Sequence, residues 1–189
     1  MMIKKNSRGN PSGISRVGLL ALVTRNDDRS CKILFRNVVK PRLTNNETLK
    51  VNTRFTGVTW RDYRNGIPYD EAIAEVKGLL KDAIVVGHDI RNDERALCFS
   101  LDGVAHRVID TATNPTLNDL VPSEKGKIKS KLSGLASALL GRDIQGGAVH
   151  DPVEDAFASL EIFLNHREIF EEAVSPCSSK TATLLDGTG

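Results

Sequence analysis

Residues 150 to 163 read His150-Asp151-Pro152-Val153-Glu154-Asp155-Ala156-Phe157-Ala158-Ser159-Leu160-Glu161-Ile162-Phe163, and they open as a helix. Asp151 suits the N-cap and Pro152 the first helical position, while Glu154, three residues after the cap, completes an Asp variant of the capping box. Val153, Ala156, Phe157, Leu160 and Phe163 recur at helical spacing, which predicts a buried stripe. His150 then stands just outside the helix and Asp155 in its first turn, off that stripe and near each other. A base and a carboxylate held at a rigid helix mouth are usable for chemistry. Acids in a first turn also offset the helix dipole, and a lone His before a cap is ordinarily just solvated, so the surrounding chain has to decide between the two readings.

Working outward, Val17–Val23 and Ile33–Val39 are apolar runs separated by a turn cluster, Arg25–Ser30, and predict a hairpin. Residues 52–62 are irregular, with Gly57 as a turn and Thr59 as the cap of a short helix. Ile73, Val76, Leu79 and Leu80 give residues 68–81 the period of an amphipathic helix. Ala83–Gly87 is a short, wholly apolar strand of the kind buried on both faces of a helix-covered sheet. Asn92 is placed to cap a helix from Asp93 to about Leu101, and His106–Ile109 forms another strand ending at Asp110. Ser130 caps a helix carrying Leu132, Leu135, Leu139 and Leu140, closed by Gly141 in the C-cap position. A leading antiparallel hairpin followed by strands alternating with helices predicts an α/β fold, a mixed sheet flanked by helices. In such sheets sites gather where strands end and helices begin, here at Gly87–Asp93 and at His150–Asp155.

The 189 residues suit one domain, with 1–14 a flexible lead-in, 15–174 the folded unit and 175–189 a disordered tail. A formal charge of +2 is too small to demand a nucleic-acid partner. Its distribution says more: residues 1–26 hold Lys4, Lys5, Arg8, Arg16 and Arg25 and no acid, and Lys125, Lys127, Lys129 and Lys131 form a second basic run. Cys31, Cys98 and Cys177 lack CxxC spacing, so neither a disulfide framework nor a zinc site is indicated and a reducing compartment is expected. No segment approaches the length of a membrane-spanning helix, and Val17–Val23 reads as a strand and not as a signal peptide.

Val85-Val86-Gly87-His88-Asp89-Ile90-Arg91-Asn92-Asp93 resembles the second motif of the DEDDh 3′-5′ exonucleases, within the branch of RNA exonuclease 4 and the interferon-stimulated exonuclease. His150-Asp151-Pro152-Val153-Glu154-Asp155-Ala156 is similar to that branch's third motif. Thr53-Arg54-Phe55-Thr56-Gly57-Val58-Thr59, Asp110-Thr111, and Leu132 to Gln145 match further segments, in family order from about Arg16 to Glu172. The resemblance implies an RNase H-like fold, a nucleic-acid substrate and a two-metal mechanism with magnesium or manganese, in which Asp93 and Asp155 are ligands and His150 is the general base. Arg54, on a loop that the resemblance sets beside the site, and Asn92 are the candidate nucleic-acid contacts. Trp60 and Phe55 offer rings for stacking on a base, with anchorage of the irregular segment the favoured role. RNA or another single strand is the expected partner, in the nucleus, nucleolus or cytoplasm.

The chain departs from the pattern at the family's first motif, an Asp-x-Glu on the first strand, because its first acid is Asp27. Counting back, that motif falls at or before Met1, so the first strand is read as degenerate or missing. Asp27 and Asp28 belong to the hairpin turn, at the wrong end of the strands. Two divalent ions at about 4 Å repel, and two carboxylates offset that repulsion poorly. Impaired two-metal catalysis is therefore expected, with one ion still able to bind Asp93 and Asp155. The missing strand would be central, so residues 1–14, a protein partner or a second copy must partly replace it.

Overall fold

A computed structural model describes residues 18–25, 30–41, 53–121, 130–146 and 150–172, without the side chains of Arg54 and Phe55. The expected lead-in, the lysines 125, 127 and 129, and the expected tail lie outside the described residues.

The hairpin forms as strands β1 (Leu19–Arg25) and β2 (Cys31–Lys40), antiparallel with Ala21 opposite Arg36 and an irregularity between Leu22 and Val23. β2 also pairs in parallel with the two-residue strand β3 (Ile67–Pro68). Two short helices stand between them, α1 (Thr53–Thr56) and α2 (Trp60–Asn65). Thr59 caps α2 as expected, in a box where Asp62 answers the Thr59 N–H. Helix α3 (Tyr69–Leu80) buries Tyr69, Ala72, Ile73, Val76 and Leu80. They form one core with Phe35 and Val39 of β2 and with Ala96, Leu97 and Leu101.

The second sheet is β4 (Ile84–Gly87) paired in parallel with β5 (Arg107–Asp110). Helix α4 (Arg91–Leu97) follows β4 and stops at Cys98, whose φ of 55° lies in the left-handed region; a single 3-10 turn, Leu101–Gly103, follows. The helix thus starts before the expected Asp93 and ends before Leu101. Asn92 is not its cap, because it lies inside the first turn, where its side chain donates to the Asp89 carboxylate and accepts from Arg95.

After α5 (Pro115–Asp119), helix α6 (Leu132–Leu140) ends on Gly141 at φ 63°, as its position predicted. Its N-cap residue is Lys131, not Ser130. The Ser130 hydroxyl is buried with no hydrogen-bond partner among the described residues, and the Ser130 carbonyl accepts from His88 Nε2 at 3.0 Å. Helix α7 (Pro152–Asn165) begins where the sequence placed it, and α8 (Arg167–Glu172) follows. The apolar stripe is rotated from expectation: Ala158, Ile162 and Phe163 are buried against Leu132, Leu135 and Ala136 of α6, whereas Val153, Ala156, Phe157 and Leu160 stay half-buried. Packing against α6 decides the buried face, which periodicity alone does not fix.

α7 also lies across β1 and β4. Among the described residues no strand pairs with the second edge of either, so the mixed sheet is present in two pieces. This accounts for a further difference. β4 is not buried on both faces: Ile84 is 49 % exposed, with Val85 and Val86 half-buried, and the apolar run of β1 is half-buried throughout.

Candidate active site

The turn from β4 into α4 is built on the carboxylate of Asp110 at the end of β5. Asp110 Oδ1 accepts from the N–H of Asp89 at 2.8 Å and of Ala112 at 2.9 Å, and Oδ2 accepts from the N–H of Ile90 at 3.2 Å. A carboxylate from the neighbouring strand thus satisfies donors that a local cap would otherwise take. Gly87 permits the turn because a Cβ there would sit 2.8 Å from the Ile90 side chain. His88 ties the turn to the rest of the domain: Nε2 donates to the Ser130 carbonyl, and Nδ1 meets the Thr111 hydroxyl at 2.9 Å. It packs at the strand end.

This turn places Asp93 on the first turn of α4. Burial pushes its carboxyl up from the ordinary 3.8 to about 6, with the charges of Asp110, Asp89 and Asp155 acting in the same direction. Asp93 and Asp155 are therefore close enough to sense each other, although they stand 62 residues apart in sequence.

At the other side of the site, Asp151 caps α7 by accepting from the Val153 N–H at 3.0 Å, and Arg36 of β2 lies 3.8 Å from its second oxygen. Glu154 does not close a capping box; its carboxylate accepts from the Gln145 N–H at 3.2 Å. Gln145, at φ 62°, folds back so that its side-chain amide donates to Asp155 Oδ1 at 2.7 Å. The other oxygen of Asp155 lies 4.0 Å from Nδ1 of His150. Imidazole and carboxylate are thus neighbours at the helix mouth, as their five-residue spacing predicted, and both remain partly open to solvent.

The structure therefore sets His150 beside Asp155, and the charge of Asp155 reaches Asp93. It engages Asn92 within the α4 turn, where its amide already holds Asp89 and Arg95, so the expected nucleic-acid contact has to compete with those bonds. The Arg54 side chain lies outside the described residues. Trp60 is 53 % exposed, which overturns anchorage as its role: the half-buried Tyr63, one turn on, fills that place. Sequence reasoning missed Gln145 as the residue orienting Asp155, and its one signal was its position at the end of the matched segment Leu132 to Gln145.

Two carboxylates are oxygen donors of the kind magnesium and manganese prefer, and the accumulation of Asp89, Asp93, Asp110 and Asp155 is one that a cation relieves. Asp110 spends its oxygens on backbone N–H groups, so Asp93 and Asp155 are the residues that would hold a metal. Among the described residues no group of three or more His, Cys, Asp or Glu is placed to share one ion. The set fits a single cation better than a pair. No helix among the described residues is long and apolar enough to cross a membrane.

No family model matches the chain. It is 29 % identical over 170 residues to an RNA exonuclease 4 of Gibberella zeae, a match spanning 90 % of this chain and 48 % of the relative. It is 30 % identical over 163 residues to the human interferon-stimulated 20 kDa exonuclease-like 2, spanning 86 % of this chain and 42 % of that protein. The chain thus spans less than half the length of these relatives. A solved structure of the Neurospora crassa Pan2 catalytic unit, containing protease and nuclease domains, superposes at a TM-score of 0.53 and 20 % identity, over 89 % of this chain and 29 % of that one. That likeness concerns the fold alone, an RNase H-like α/β architecture with mixed strands and flanking helices.

Proposed function

The chain belongs to the DEDDh 3′-5′ exonuclease superfamily, and from that premise we propose that these 189 residues bind RNA or another single strand in an exonuclease-like site whose two-metal hydrolysis is impaired. What supports the proposal is the composition of the candidate site: His150 lies beside Asp155, Asp93 senses the Asp155 charge, and residues 1–26 contain no acid to add to them. Asp93 and Asp155 would hold the metal, and a bound magnesium or manganese ion would supply positive charge to the attacking and leaving oxygens of a phosphodiester. His150 is the base: with Nδ1 turned toward Asp155, Nε2 faces away to take a proton from water. Gln145 positions Asp155 through its amide. With two carboxylates a second ion is held weakly, and the charge developing on the leaving oxygen is poorly offset. The edges of β1 and β4, unpaired among the described residues, support completion of the sheet by a further strand, from elsewhere in the chain or from a protein partner. An intracellular location, nuclear or cytoplasmic, goes with this reading.

An active exonuclease is the second reading, favoured by the preserved approach of His150 to Asp155. End-labelled RNA and DNA single strands, incubated with manganese and with either the wild type, His150→Ala or Asp155→Ala, separate the two. Impaired catalysis predicts binding in the presence of a chelator and no product that distinguishes wild type from His150→Ala. A metal-dependent ladder shortening from the 3′ end, lost in Asp155→Ala, establishes the active enzyme instead.

A further inference from the structure

Trp60 is the only tryptophan of the chain, and the fold leaves it 53 % exposed on a six-residue helix that does not need it. Helix α2 is fixed by other groups. Val58 is buried before it, Thr59 and Asp62 close its capping box, and Tyr63 is half-buried. The Tyr63 hydroxyl lies so close over Gly18 that a Cβ there would meet it at 2.9 Å. Trp60 meets Tyr63 at a tilt, with ring centroids 6.3 Å apart, so a large part of the indole remains uncovered.

Two of the three charged residues of α2 are arginines. Arg61 and Arg64 are exposed on the same helix, and neither enters a salt bridge among the described residues. The one acid of α2, Asp62, is turned to the Thr59 N–H at 2.7 Å and hydroxyl at 2.6 Å, and these hydrogen bonds hold its carboxyl below the usual range. An exposed indole flanked by two guanidinium groups is complementary to a ring stacked above a phosphate backbone, which a single-stranded nucleic acid offers at every nucleotide.

The hairpin links α2 to the site in sequence: Gly18, under Tyr63, leads into β1, and Ala21, three residues on, pairs with Arg36, which lies 3.8 Å from Asp151 beside His150. Side chains alternate along a strand, so Gly18 and Ala21 present opposite faces of the hairpin.

We infer that Trp60, Arg61 and Arg64 form a platform on which a base of a single-stranded nucleic acid stacks while its phosphates meet the two guanidinium groups. The inference rests on the nucleic-acid reading given above. Because Trp60 is the sole tryptophan, emission of the full chain reports on that residue alone. The chain is titrated in chelator with oligouridylate, and affinity is measured in parallel by anisotropy of an end-labelled oligouridylate for wild type, Trp60→Phe, Trp60→Ala and Arg61→Gln/Arg64→Gln. The platform predicts saturable quenching of Trp60, an affinity loss of about tenfold in Trp60→Ala that Trp60→Phe largely recovers, and a salt slope reduced by roughly 0.7 for each arginine removed. Saturable binding with unchanged Trp60 emission and unaltered affinity in Trp60→Ala overturns the platform and leaves the nucleic-acid reading standing. No binding by the wild type at low salt overturns both.

Discussion

The β4–α4 turn and the mouth of α7 each deliver one carboxylate to the site, and they hold it in opposite ways. Asp93 arrives on a turn clamped from a neighbouring strand by Asp110 and tied by His88 to the Ser130 carbonyl ahead of α6, and burial pushes its carboxyl up to about 6. Asp155 arrives on a helix that starts by its own local cap, keeps one oxygen toward Gln145 and the other toward a partly exposed imidazole. One side is rigid and poorly solvated; the other is open. The difference teaches a division of labour: the buried side fixes the carboxylate proposed as a metal ligand, and the open side leaves His150 room to meet water.

The largest effect is expected at the clamp. Asp110→Ala leaves the N–H groups of Asp89, Ile90 and Ala112 without their acceptor, and a loss of about 3 kcal/mol in urea unfolding is predicted. Asp110→Asn sharpens the point. Its one carbonyl oxygen can still serve the two N–H groups that Oδ1 holds, so about half the loss should return. If Asp110→Ala unfolds like the wild type, the turn is not held as described and the contrast between the two sides disappears.

Next comes Asp93 itself. Its carboxyl titrates at about 6 in the folded chain and near 3.8 when unfolded. Between those values the folded protein keeps a proton that the unfolded chain has released, so stability falls as pH rises from about 4 to 6 and the cost is complete above that range. Asp93→Asn removes the titration. It is predicted to raise stability by about 2 kcal/mol at pH 7.5 in chelator and to change it little at pH 3.5. An equal effect at both pH values would show that charge burial is not the cause. A ligand held at a cost in stability is common where function needs the charged form.

On the open side the effects should be smaller. Asp151→Ala removes the cap on the Val153 N–H and is predicted to cost about 1 kcal/mol, most of it from the cap, because the Arg36 pair is half-exposed and contributes little.

What the sequence disclosed follows the same division. Local signals located α7 through Asp151 and Pro152, the hairpin through its turn cluster, and the end of α6 through Gly141, since caps and turns are decided within a few residues. The clamp was not legible as such. Asp110 reaches N–H groups 20 and 21 residues earlier, and nothing in the local pattern marks a carboxylate that caps another segment's turn. The same applies to Gln145, which meets Asp155 only because a positive φ turns it back. The stripe of α7 was misread for a related reason. Packing against α6 selects Ala158, Ile162 and Phe163 as the buried face, and the helix period carries no trace of that.

The smallest predicted effect tests the openness of the α7 mouth most directly. His150 is 46 % exposed, and its Nδ1 lies 4.0 Å from Asp155, beyond hydrogen-bonding distance. A pair at that separation in solvent adds a few tenths of a kcal/mol at most, and removing the ring leaves no buried donor or acceptor behind. His150→Ala should therefore unfold in urea within about 0.5 kcal/mol of the wild type at pH 7.5. A loss above about 1 kcal/mol would mean that the imidazole is locked onto Asp155 in solution. Both carboxylates would then be held with equal rigidity, and His150, tied to its neighbour, would be a positioning group for Asp155 and no longer the base.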